Sequence, residues 1–121
     1  MNVLVVEDDR AGRELLGMVL ESRGHRVDSY ANGQGALLAA RVSHPDILIA
    51  DLMLSSGYTG LDLVIAFRAD DGLKSIPILV LTGMSRSAEL RLARESGADV
   101  CLTKPVDIPQ LLSTIEALIN P

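Results

Sequence analysis

The stretch Pro45-Asp46-Ile47-Leu48-Ile49-Ala50-Asp51 decides the fold. From Ile47 to Ala50 it carries no polar period, so it predicts a strand buried on both faces, at the centre of a parallel sheet. Asp51 closes the run. Ligands of open parallel sheets bind in the crevice outside the carboxyl ends of the strands, so an acid at that place either caps a loop or belongs to a site. The other strand ends choose between these.

Upstream, Asn2-Val3-Leu4-Val5-Val6 is rich in β-branched residues, too short for a helix, and runs into Glu7-Asp8-Asp9. The apolar spacing of Ala11, Leu15, Leu16, Val19 and Leu20 predicts a helix over 10–22, with Asp9 as its N-cap and Gly24 as its terminator. Arg26-Val27-Asp28-Ser29-Tyr30 reads as a half-polar strand, followed by an Asn32-Gly33 break and a helix over 34–42. Downstream of the deciding stretch come a loop over 52–59, turning at Ser55-Ser56-Gly57, and a helix over 61–69 that is apolar nearly all round. Ile78 to Leu81 is another apolar strand, ending at Thr82-Gly83. A helix over 87–96, a short strand over 99–102 ending at Thr103-Lys104-Pro105, and a helix capped by Asp107 complete the chain.

Five strands alternating with five helices require parallel strands and right-handed crossovers, hence an α/β doubly wound sheet. The half-polar second strand and the short fifth belong at the edges, which gives the order 2-1-3-4-5. That order sets Glu7 and Asp8 opposite Asp51, with Thr82 and Lys104 on the neighbouring strand ends.

The chain has 121 residues, one domain by length, spanning 1–121. A net charge of -5, with eleven scattered Lys and Arg, argues against direct contact with nucleic acid. The single cysteine, Cys101, excludes an internal disulfide and a multi-cysteine metal site. Met1 to Val6 lead straight into acids, no apolar run approaches a membrane span, and a cytoplasmic location is expected.

Carboxylates converging at a partly desolvated sheet edge repel one another, and a hard divalent cation such as Mg2+ relieves them. Asp8 and Asp51 are then direct ligands, Glu7 holds a metal-bound water, and the backbone carbonyl near Met53 supplies another oxygen. The cation alone does not call for Thr82 and Lys104. A phosphoryl group on Asp51 does, because its oxygens need the cation, the Lys104 ammonium and the Thr82 hydroxyl as partners.

These residues carry a resemblance. Glu7-Asp8, Asp51, Thr82-Gly83 and Lys104-Pro105, each at its strand end, resemble the receiver domain of two-component response regulators, of the chemotaxis-receiver, flavodoxin-like type. The resemblance covers essentially the whole chain. It implies phosphoryl transfer to Asp51 from a histidine kinase or phosphotransfer protein, Mg2+ dependence, and a switch read by a downstream protein or output domain. It further implies no enzymatic activity beyond the domain's own phosphorylation and dephosphorylation, a monomer or a phosphorylation-dependent dimer, a cis Lys104-Pro105 peptide, and docking of the phosphodonor near Gly12 and Leu15.

The chain departs from the family pattern in three places. Cys101 stands where the family often has an aromatic that swings with the threonine. Ser55 replaces a common proline, and Gly60 lies one residue further from Asp51 than usual, so a longer and looser loop is expected. Met53 and Met84 would place thioethers over the phosphoryl group and slow its hydrolysis. Cys101 is expected to be a small buried hydrophobe. His25 and His44 are expected at the surface, and Asp70-Asp71 at a solvated helix end.

Two other classes fit part of the pattern. A haloacid dehalogenase-type phosphatase uses a strand-end Asp with Mg2+, but wants a second acid where Met53 stands. A degenerate receiver acting only as a docking module would not need all five site residues.

Overall fold

A computed structural model describes residues 1–54, 57–83 and 87–120. The elements run β1 (Asn2–Val6), α1 (Arg10–Glu21), β2 (Arg26–Tyr30), α2 (Gly33–Ser43), β3 (Ile47–Asp51), α3 (Gly60–Ala69), β4 (Ile78–Thr82), α4 (Ser87–Ser96), β5 (Val100–Thr103) and α5 (Ile108–Ile119). The strands form one parallel sheet in the order β2-β1-β3-β4-β5. The architecture is the doubly wound one that the burial pattern of the strands predicts.

Alternation along each central strand divides the core in two. Val3, Val5, Ile47, Ile49, Leu79 and Leu81 face Leu16 and Leu20 of α1 and Leu111 and Ile115 of α5. Leu4, Val6, Leu48, Ala50, Ile78 and Val80 face the other layer, where α2 contributes Ala36 and Ala40 and α3 contributes Leu63, Val64 and Phe67. Every residue of β3 and β4 is buried, which is why neither shows a polar period. Strand β2 keeps no fully buried residue, as an edge strand should.

Helix starts are fixed by side chains. Asp9 accepts from the Gly12 amide, Asn32 from Gly35, and Thr59 forms a capping box with Asp62. Gly24, at φ 85°, takes the left-handed turn after α1. At the amino-terminal end of β4 and β5, Arg68 joins three segments. Its Nε donates to the Gly97 carbonyl at 2.9 Å, its Nη1 to the Lys74 and Ile76 carbonyls at 2.7 Å each, and its Nη2 to Asp99 at 2.9 Å. Asp99 in turn accepts from the Ile78 amide at 2.7 Å.

Several expectations need correction. Asp70 is not simply solvated: it caps α3, accepts from the Gly72 amide at 2.8 Å and pairs with Arg41 at 3.1 Å. Those partners, the Gly72 amide foremost, hold its carboxyl below the usual range. His25 is half-buried, with Nδ1 sealed from solvent and unpartnered, because the turn after α1 folds it inward. His44 is exposed, as expected, and serves as the left-handed cap of α2. The loop after β3 is pinned at its described residues: Leu52 and Leu54 are buried, and a Cβ on Gly33 would meet the Tyr58 ring at 2.6 Å. Ser55, Ser56 and Met84 lie outside the described residues. Among the described residues no helix is long and apolar enough to cross a membrane.

Candidate functional site

Register places the strand ends side by side. Val6 pairs with Ala50, Asp51 with Leu81, and Thr82 with Thr103, so Glu7, Asp51, Thr82 and Lys104 come to one edge of the sheet. Among the described residues the buried polar or charged ones are Glu7, Asp51 and Thr82, at 4%, 6% and 0% exposure. All three stand where the sequence places the site.

Carboxylate oxygens of Glu7, Asp8 and Asp51 lie within 4.8 Å of one another. Lys104 answers two of them, its Nζ donating to Glu7 Oε1 at 2.6 Å and to Asp51 Oδ2 at 2.7 Å. The other Asp51 oxygen, Oδ1, accepts from the Met53 amide at 2.9 Å. The Met53 side chain is largely exposed. Thr82 contributes its carbonyl as well, accepting from the Lys104 amide at 2.7 Å, which ties the fourth and fifth strand ends together. The Lys104-Pro105 peptide is cis, as the resemblance implies.

The electrostatics follow from burial. Glu7 is pushed up to about 7, first by desolvation and then by its hydrogen bond with Asp51, against the opposing pull of Lys104. Burial works to lower Lys104, but its bonds to Asp51 and Glu7 outweigh that and hold the ammonium above its ordinary value. One ammonium therefore faces two buried acids.

Glu7 Oε2 is sealed from solvent and has no protein partner. A buried acceptor left in that state costs about 1–3 kcal/mol, so the pocket is unfinished from the protein side alone. An all-oxygen donor set with an unanswered carboxylate oxygen fits a hard cation. It does not suit a soft one.

The neighbouring helix starts are shaped to the site. A Cβ on Gly60 would sit 2.0 Å from the Asp51 carbonyl oxygen, so α3 can begin there only with glycine. A Cβ on Gly12 would meet Glu7 Oε1 and Asp9 Oδ2 at 3.1 Å each. Arg13 donates from Nη1 to the Glu7 carbonyl at 2.7 Å, a contact that sequence reasoning missed because no motif ties an arginine to an acid six residues earlier. Beside the acids a groove of about 400 Å3 runs between α1 and the start of α5, lined by Gly12, Leu15, Leu16, Leu81, Pro105 and Val106. Cys101 is half-buried against the α3 layer rather than fully enclosed, and burial raises its thiol pKa, with Arg94 opposing.

Residues 3–116 match the family described as the response regulator receiver domain. The chain is 36% identical over 115 residues to the DNA-binding response regulator MtrA of Mycobacterium tuberculosis, covering 95% of this chain and 49% of that protein. It thus spans about half the length of the MtrA relatives it matches. Among solved structures it is similar to the Vibrio cholerae chemotaxis protein CheY4, with a TM-score of 0.91, 30% identity and 97% of each chain covered. It is also similar to the signal receiver domain of a signal transduction histidine kinase from Syntrophus aciditrophicus, with a TM-score of 0.89 and 29% identity over 98% of this chain and 89% of that one.

Proposed function

The chain belongs to the response regulator receiver domain family, and from that premise we propose that Asp51 accepts a phosphoryl group from a partner phosphohistidine. The observation that carries the reading is the double contact of Lys104 with Asp51 and Glu7, beside carboxylates gathered within 4.8 Å. In the transfer, the phosphorus–nitrogen bond of the donor breaks, a phosphorus–oxygen bond to Asp51 forms, and the imidazole leaves with the electron pair. Lys104 is placed to release Asp51 and hold a phosphoryl oxygen, and the Thr82 hydroxyl takes another.

Glu7, Asp8, Asp51 and the Met53 carbonyl would hold Mg2+, which when bound neutralises the acids and the incoming phosphoryl charge. The groove beside Gly12 and Leu15 would seat the phosphodonor, a histidine kinase or phosphotransfer protein. Self-phosphorylation from a small donor and self-dephosphorylation are the only reactions assigned to the chain. Its output is a change of contact with a downstream protein or output domain, as a monomer or a phosphorylation-dependent dimer, over residues 1–121 as one unit in the cytoplasm.

Incubation with acetyl phosphate and Mg2+, followed by intact mass measurement, tests this. The wild type gains one phosphoryl adduct and Asp51→Asn none. An adduct that persists in Asp51→Asn would place the acceptor elsewhere.

A further inference from the structure

Glu7 is held at both ends of its peptide. Its N–H donates to the Tyr30 carbonyl at 3.0 Å, and its own carbonyl accepts from Arg13 Nη1 at 2.7 Å. The first turn of α1 supplies the rest of the mount. Asp9 Oδ2 takes the Gly12 amide at 2.9 Å, and Gly12 leaves room beside Glu7 Oε1 that a Cβ would crowd at 3.1 Å. Residues Glu7 to Arg13 therefore form one closed loop, tied side chain to backbone at two places.

We propose that Arg13, with Gly12, positions the acidic pair Glu7-Asp8 for Mg2+. Neither is a catalytic residue. Arg13 fixes the peptide that joins the two acids, and Gly12 admits the Glu7 side chain. The inference rests on the functional reading above, since it concerns the same site.

The sign of one measurement separates positioning from charge. If Arg13 acted only as a nearby cation, its removal would tighten Mg2+ binding by lowering repulsion. As a clamp on the ligand backbone, its removal loosens binding, because groups that orient ligands typically set metal affinity by about tenfold or more.

The test is calorimetric titration of the unphosphorylated protein with MgCl2, alongside its thermal melting curve. Arg13→Met is expected to bind about tenfold more weakly, and Arg13→Lys, which keeps a donor, to recover most of that loss. Gly12→Ala alters no charge and is expected to weaken binding in the same direction, so it decides the matter even if Arg13→Met fails to fold. Wild-type affinity in Gly12→Ala, or equal or tighter binding in Arg13→Met, overturns the inference while leaving the functional reading intact. A wild type that takes up no Mg2+ overturns both.

Discussion

The Lys104 ammonium lies 2.7 Å from Asp51 Oδ2 and 2.6 Å from Glu7 Oε1, so one cation spans two acids that are buried at the ends of different strands. Replacing it with methionine leaves those acids facing each other. In EDTA at about pH 8, Lys104→Met is expected to lose about 2–3 kcal/mol of unfolding free energy, at or below the low end for a broken buried pair because Lys104 is partly exposed. Urea denaturation reads this, and unchanged stability would mean that the pairs contribute nothing in the resting state.

Glu7 sets a pH dependence. Its folded pKa of about 7 stands above the ordinary 4.5, so between those values the folded state binds the extra proton. Stability from this group is complete below about 4.5 and is lost as pH rises through about 7. The melting temperature of Mg2+-free protein should therefore fall by several degrees on going from mildly acidic to mildly alkaline buffer. Glu7→Gln should flatten that slope, and a slope unchanged in the variant would assign it to another group.

Gly60 abuts the Asp51 carbonyl. Gly60→Ala must move the start of α3 or the end of β3, since the added carbon would lie 2.0 Å from that oxygen. A loss of about 3 kcal/mol is expected, with slower labelling by acetyl phosphate. Wild-type behaviour in both assays would show that the helix start can shift freely.

Arg68 provides the contrast, because it works at the far end of the sheet. Arg68→Ala strips donors from the Gly97, Lys74 and Ile76 carbonyls and a cation from Asp99, and should cost about 3 kcal/mol. The labelling rate of the folded fraction should stay within about twofold of wild type, being set at the opposite strand ends. A large rate defect would couple the two ends.

Met53 is tested by the lifetime of the phosphorylated protein. Its thioether belongs to the residue whose amide holds Asp51 Oδ1, and shielding the acyl phosphate from water there predicts slow self-dephosphorylation. Met53→Ala should lose the phosphoryl group several-fold faster. Rapid loss from the wild type would count against shielding.

Much of this was legible because parallel sheets write their buried strands as apolar runs, and the residue that stops each run must lie at the strand end. Asp51 and Thr82 are found that way, and Asp9 by its place before a periodic helix. Other features follow from tertiary contacts that have no local signature. Arg13 reaches a carbonyl six residues back, and Tyr58, in the loop between β3 and α3, packs on Gly33 at the start of α2. The bond from the Gly72 amide to Asp70 is local, two residues apart, whereas the pairing of Asp70 with Arg41 spans 29 residues. The sealed Nδ1 of His25 depends on how the turn after α1 folds, which composition does not reveal.

The ion pair between Glu7 and Lys104 spans 97 residues of chain. Glu7 stands at the end of the first strand, Asp51 closes the third and the neutralising lysine lies just past the fifth, so the pair closes only when the first and fifth strands have both joined the sheet. A segment that stops short of the fifth strand carries the two acids without the cation that answers them.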